Sequence, residues 1–197
     1  MRHLNGHILC AVDTETTGLI AGYHDLWQIA IVPLDNFCRL RKDIMPFYMN
    51  MRIKRPENVD KKAIKIANND FYRMQEMAID PWMAADLLDE WFQKLKLPFL
   101  KRIAPLAHNW PFDRNFIIDW LGDETFEQLF WGHYRDTMAA TLFMNDRASF
   151  KAEPIEHPKL GLNAIAGRMG IMNQKAHDAL QDCIVTAAVY RRLLTEF

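Results

Sequence analysis

Two apolar runs near the N-terminus, Ile8 to Val12 and Ile29 to Leu34, place the tightest limit on the fold. Each is far too short to span a bilayer. Neither alternates with polar residues, so both read as buried strands that need cover on two faces. His7 to Asp13 is the first strand and Trp27 to Leu34 the second. Phe37 to about Tyr48 reads as a third, with Asp35-Asn36 as the hairpin turn before it. Apolar residues then recur at helical spacing over Asn58 to Ala67 and Pro81 to Leu95. In the second stretch Trp82, Ala85, Leu88, Trp91, Phe92 and Leu95 mark one face, and Pro81 suits the first helical position. Ile103 to Asn109 is another short strand, followed by a helix from Pro111; a weaker strand precedes Asp136. Further helices are expected over Thr137 to about Met144, Leu162 to Met169 and Ala179 to Leu194. Strands first, then helices alternating with strands, predict an α/β fold in which a mixed sheet is flanked by helices.

Half of the 197 residues are hydrophobic and 25% are charged, the proportions of a globular chain. With no linker or charge block dividing it, one domain over residues 1–197 is expected. The N-terminus lacks a basic-then-apolar leader pattern, so export is not expected, nor is a membrane partner. Cys10, Cys38 and Cys183 lie in apolar segments without a C-x-x-C pair and read as reduced core thiols of a cytoplasmic protein. A formal net charge of −1 gives no global pull toward a polyanion. The basic clusters at Arg39 to Lys42, Arg52 to Arg55, Lys61 to Lys65 and Lys94 to Arg102 read as solvated faces.

The chemistry-bearing residues begin where the first strand ends. Asp13 and Glu15 are two apart, so on a strand both carboxylates project from the same face. Two adjacent anions either face water or share a divalent cation, and hard oxygen ligands suit magnesium or manganese. Thr16, Thr17 and Gly18 follow, and a glycine there allows main-chain N–H groups to approach a ligand closely. A second acid, Asp113, falls one turn into the helix after the strand Ile103 to Asn109. That position fits both simple dipole complementarity and a ligand site beyond a strand end. The third element is Lys175-Ala176-His177-Asp178-Ala179-Leu180-Gln181-Asp182. With Asp178 as N-cap and Gln181 three residues on, His177 and Asp182 occupy the two positions that a hydrophobic staple brings together. Asp178 is then structural and Asp182 the candidate ligand.

Taken in order, Asp-x-Glu, Asn-x-x-Phe-Asp and His-x-Ala-x-x-Asp resemble the motifs of the DEDDh exonucleases of the ribonuclease-H-like superfamily. That family includes the proofreading subunit of bacterial replicative polymerases, ribonuclease T and oligoribonuclease. Asp136-Thr137 resembles the family's Asp-Thr before a helix, and the resemblance covers residues 7 to 194. It implies a five-stranded mixed sheet whose first three strands are antiparallel and the rest parallel. It also implies that Asp13, Glu15, Asp113 and Asp182 hold two magnesium or manganese ions, with His177 as general base. Histidine rather than tyrosine at this place separates this subclass from its relatives. By the same resemblance the backbone at Thr16 binds a terminal 3′-hydroxyl and Leu19 wedges against the terminal base. Asn109 and Phe112 line the pocket for the last nucleotide.

The implied activity is metal-dependent 3′-to-5′ hydrolysis of single-stranded DNA or RNA ends, releasing nucleoside monophosphates. The muted net charge fits an enzyme that grips only a few nucleotides. The alternative is a non-catalytic module on the same fold that binds nucleic-acid ends or a polymerase. Ala107 stands where many relatives have glycine, and Trp110-Pro111 is bulky beside the pocket. Because the sequence ends just after the last helix, a stand-alone nuclease is expected, with a homodimer or a docked polymerase left open. His3, His7, His24, His108, His133 and His157 are assigned no catalytic role.

Overall fold

The computed structural model describes residues 1–66 and 70–195. Five strands form one sheet: β1 (Ile8–Thr16), β2 (Leu26–Pro33), β3 (Phe47–Asn50), β4 (Ile103–Ala107) and β5 (Arg135–Asp136), in the order β3-β2-β1-β4-β5. β1 pairs antiparallel with β2, and β2 with β3; β4 runs parallel to β1, and β5 to β4. The helices are α1 (Lys61–Ile66), α2 (Asp70–Glu76), α3 (Pro81–Lys94), α4 (Trp110–Leu121), α5 (Asp123–Leu129), α6 (Thr137–Phe150), α7 (Leu162–Arg168) and α8 (Ala179–Leu193). This is the expected mixed α/β sheet. Its central strands are covered on both faces, as their unbroken apolar sequence requires.

Alternation along β1 divides the core. Ile8, Cys10 and Val12 face one way and pack with Leu88 and Trp91 of α3 and Phe116 and Ile117 of α4. Leu9 and Ala11 face the other way and pack with Ala179, Cys183 and Ala187 of α8. The sheet is therefore sandwiched, with α4 and α8 on opposite layers. All three cysteines are buried free thiols. Among the described residues no helix is long and apolar enough to cross a membrane.

Several expectations are corrected. The third strand is only Phe47–Asn50, and the stretch from Phe37 to Pro46 is a loop. Asp35 closes a tight turn by accepting backbone N–H bonds from Phe37 and Arg39, at 2.8 and 2.9 Å. That local closure, with a single bridge between Leu34 and Leu40, uses the backbone groups that a longer strand would have needed. In α3 the buried residues are Ala84, Leu88 and Trp91, with Leu95 at the C-cap, whereas Trp82 is 65% exposed. At about 100° per residue those four form a narrow stripe, and Trp82 falls roughly 160° away from it. The helix before it begins at Lys61, not Asn58, and Ala67 lies outside the described residues. α6 continues to Phe150, six residues beyond the expected end. The short helices α2 and α5 were not expected. α4 and α5 are separated only by Gly122, whose φ of +78° ends the first helix in a conformation that other residues rarely adopt.

Candidate active site

Continuing the alternation past Val12 puts Asp13 and Glu15 on the α8 face of the sheet and Thr14 on the α4 face. Asp182 and Asp113 therefore approach the end of β1 from opposite layers. Thr14 donates its hydroxyl to Asp113 at 2.7 Å, which fixes the α4 acid against the strand. Asp113 and Asp182 are both buried, and Asp13 and Glu15 half-buried. Across the sheet Asp13 pairs with Ala30 and Glu15 with Gln28, and a bulge follows between Glu15 and Thr16. A bulge re-aims the chain at a strand end.

The strand-to-helix junction depends on Asp136. Its carboxylate accepts the backbone N–H groups of Asn109 and Trp110 at 3.1 and 2.8 Å, at the start of α4. It also accepts those of Met138 and Ala139 at 2.9 and 3.1 Å, capping α6. Asn109 holds a left-handed conformation, φ 72°, that turns the chain from β4 into α4. One carboxylate thus ties two helix starts together, which is a structural account of the Asp136-Thr137 pair.

At α8 the capping geometry is as expected. Asp178 accepts the Gln181 backbone N–H at 3.1 Å, and the Ala179 N–H is taken by Gln28 Oε1 at 2.8 Å. Asp178 also receives the Tyr48 hydroxyl at 3.0 Å and the Lys175 ammonium at 2.8 Å. His177 lies just outside the helix with φ 66°. Its backbone N–H donates to Asp182 Oδ2 at 3.1 Å, and the amide of Asn173 donates to Asp182 Oδ1 at 2.6 Å. The same amide nitrogen reaches Asn163 Oδ1 at 2.7 Å. Both oxygens of Asp182 are therefore held. Ligand atoms of Glu15, His177 and Asp182 lie within 4.8 Å of one another.

Electrostatics separate these acids from Asp178. Burial raises Asp13 well above the usual carboxylate range, and the charges of Asp113, Glu15 and Asp182 raise it further. Burial, then Asp182 and Asp113, push Glu15 up to about 8. Burial also lifts Asp113 to about 7, although the Thr14 hydroxyl bond opposes it. Asp182 is raised by burial against the opposing bonds from Asn173 and His177. Burial acts on Asp178 as well, but the bonds from Lys175, Gln181 and Tyr48 outweigh it and hold that carboxyl low. The leading neighbouring charges on Asp13 and Glu15 are all carboxylates. An oxygen-rich, mutually repelling donor set of this kind fits a divalent cation, whose attraction for each carboxylate would offset their mutual repulsion.

The remaining candidates surround this cluster in sequence and differ in exposure. The Thr16 hydroxyl donates to the Gly18 carbonyl at 2.6 Å, shaping the loop after β1. A Cβ on Gly18 would meet the His24 ring at 2.1 Å, so this close approach requires glycine. Leu19 is 78% exposed at the tip of that loop. Asn109 and Phe112 flank the first turn of α4 half-buried, and Phe112 packs against Phe116 at 5.0 Å between ring centroids. Sequence reasoning missed Thr14, Gln28, Asn163 and Asn173. Only Thr14, lying between the two acids, carried a signal that could have singled it out.

A family model described as RNase_T, an exonuclease, matches residues 10–190. No curated protein sequence matches the chain. Among solved structures, exonuclease I from Methylocaldum szegediense superposes with a TM-score of 0.71 at 22% identity, covering 96% of this chain and 40% of that one. Escherichia coli exonuclease I in complex with a dT13 oligonucleotide gives 0.70 at 17% identity, covering 96% and 41%. The nuclease domain of 3′hExo, a DEDDh family member bound to rAMP, gives 0.69 at 14% identity, covering 96% and 92%. The chain thus spans about two fifths of the exonuclease I chains. At these identities the likeness speaks to the fold.

Proposed function

The chain belongs to the RNase_T exonuclease family, and we propose that it is a DEDDh-type 3′-to-5′ exonuclease acting as one domain on single-stranded nucleic-acid ends. The observation that carries this reading is the meeting of Glu15, Asp182 and the His177 imidazole within 4.8 Å, beside Asp113, whose charge raises both Glu15 and Asp13, and Asp13, which is raised in turn by Glu15 and Asp182. Asp13, Glu15, Asp113 and Asp182 would hold two magnesium or manganese ions. When bound, these would neutralise the charge of the scissile phosphodiester and lower the pKa of an attacking water.

The other steps belong to the chain's own side chains. His177, exposed at the rim and next to Glu15 and Asp182, accepts the proton of the water. The backbone at Thr16 receives the terminal 3′-hydroxyl. Leu19, projecting from its loop, wedges against the terminal base, and Asn109 with Phe112 lines the nucleotide pocket. Solved neighbours include one bound to a DNA oligonucleotide and one bound to rAMP, so both sugars belong in the test. Buried free thiols fit a reducing compartment such as the cytoplasm.

The test is mononucleotide release from 3′- and 5′-labelled DNA and RNA oligonucleotides in Mg²⁺ or Mn²⁺. Early loss of the 3′ label, abolished by EDTA and by Asp13→Ala, is expected. Persistence of activity in either control overturns the mechanism. Tight binding with no turnover in either metal would make the protein a non-catalytic end-binding module instead.

A further inference from the structure

We propose that Gln28 is a positioning residue of the acid cluster: its buried amide fixes the start of α8 against the sheet beside Glu15, and so sets where His177 and Asp182 stand relative to that acid. The inference rests on the exonuclease reading and adds to it a side chain that touches neither metal nor substrate. Gln28 of β2 is the register partner of Glu15 in β1 and of Asn50 in β3, and it is fully buried. Paired residues of adjacent strands project from the same face, so the Gln28 amide stands next to the Glu15 carboxylate on the layer that α8 occupies.

Both polar atoms of that amide are used. Oε1 accepts the backbone N–H of Ala179, the first residue of α8, at 2.8 Å. Nε2 donates to Asn50 Oδ1 at 2.8 Å and to the Tyr48 hydroxyl at 3.0 Å, with the Met74 sulfur at 3.1 Å. Tyr48 in turn donates to Asp178, the N-cap of α8. The helix start is therefore tied to β2 at Ala179 directly and at Asp178 through Tyr48. His177 immediately precedes this pair, and the Asp182 backbone N–H donates to the Asp178 carbonyl at 2.9 Å. Ala179 is wholly buried, so water does not replace the amide as its acceptor.

The apolar contact of α8 with the sheet is a poor substitute for these bonds. Its residues there, Ala179, Cys183 and Ala187, are small, and burial of apolar area has no direction. Cys183 adds only a weak thiol bond to the Ala30 carbonyl, at 3.5 Å. The bonds at the helix start thus set its register along β1. A slip by one residue would carry His177 and Asp182 about 1.5 Å from Glu15, and a misplacement of about 1 Å costs about 10²-fold in rate. An amide suits the position because it accepts and donates at once and adds no charge beside four acids that already repel one another.

The experiment compares wild type with Gln28→Met, Gln28→Asn, Gln28→Glu and a control, Ile31→Val, a buried change on the same strand that faces the α3 and α4 layer. Methionine has the length of glutamine without an acceptor for Ala179, asparagine is one methylene too short, and glutamate keeps the acceptor. Under conditions in which the variants are folded, Gln28→Met and Gln28→Asn should lower kcat on a thymidine octanucleotide about 30- to 100-fold with KM within about threefold. Both should weaken Mn²⁺ binding, followed by calorimetry, about tenfold. Gln28→Glu should keep kcat within about fivefold of wild type, because the bond to Ala179 survives. Ile31→Val should melt earlier yet keep kcat and Mn²⁺ affinity. In EDTA, without metal or substrate, the His177 imidazole ¹H–¹³C signal, assigned with His177→Ala, should move further in Gln28→Met and Gln28→Asn than in Gln28→Glu or Ile31→Val. Should Gln28→Met not fold, Gln28→Asn carries the same test. Wild-type kcat and Mn²⁺ affinity in the shortened or apolar variants overturn the proposal, as does a loss of equal size in Gln28→Glu or in Ile31→Val. Should wild type hydrolyse nothing, the exonuclease reading fails; the His177 signal in EDTA then decides the positioning role, which stands only if Gln28→Met or Gln28→Asn moves it further than Gln28→Glu and Ile31→Val do.

Discussion

Asp182 is held on both carboxylate oxygens, by the Asn173 amide on one side and the His177 backbone N–H on the other. A carboxylate so clamped cannot rotate away from Glu15 and His177, and groups that orient ligands in this way typically govern metal affinity by 10- to 100-fold. Asn173→Ala should therefore weaken Mn²⁺ binding, followed by calorimetry, about tenfold and lower kcat/KM by a similar factor. Asn163→Ala, one bond further out, should have a smaller effect in the same direction. Unaltered Mn²⁺ affinity in Asn173→Ala would show that His177 alone suffices to place Asp182. His177→Ala should instead keep Mn²⁺ affinity within a few-fold and slow turnover by about two to four orders of magnitude, the size of a lost general base. Wild-type rates in that variant would remove the imidazole from the reaction. The two substitutions separate because one side chain positions a carboxylate and the other faces the substrate.

Among the elements, α4 and α6 share a single capping group. Asp136 accepts four backbone N–H bonds across the two helix starts, and each lost cap costs about 0.5–2 kcal/mol. Asp136→Ala should lower stability by about 2–3 kcal/mol, read as a shift of the urea midpoint with an unchanged slope, whereas Asp136→Asn should keep part of the loss at bay. A midpoint unmoved in Asp136→Ala would mean that water replaces the carboxylate at no cost. The same residue marks the limit of what was legible in sequence. β1, α4 and α8 were readable because their signals are local: an apolar run, a capping aspartate, an acid one turn into a helix. The role of Asp136 toward Asn109, and of Asn173 toward Asp182, depends on partners joined only by the fold. The third strand was overextended because Phe37 and Leu40 are apolar yet exposed, and hydrophobicity alone does not distinguish a loop from a strand there. The short helices α2 and α5 span only two turns, too few for a periodic pattern to stand out.

At the scale of the whole molecule the acid cluster sets stability against activity. The folded protein holds Glu15 at about 8 and Asp113 at about 7, against ordinary values of 4.5 and 3.8, and Asp13 and Asp182 are raised as well. A carboxyl whose pKa is higher in the folded state binds its proton more tightly there. Its contribution is fully present below the unfolded-state pKa near 4 and is lost as pH rises through the folded value. In EDTA the melting temperature should therefore decline between about pH 4 and 8 and level off above. A loss of about 2 kcal/mol would appear as about 4–8 °C for a chain of this size. Saturating Mg²⁺ or Mn²⁺ at pH 8 should reverse the decline, since a ligand bound only by the folded state stabilises it. Asp13→Asn should raise the EDTA melting temperature at pH 8 by several degrees while abolishing turnover, because it removes one repelling charge and one metal ligand together. A lowered melting temperature in that variant, or an EDTA profile that rises with pH across this window, would mean that the acids do not strain the fold; the electrostatic case for a cation pair among them would then fall.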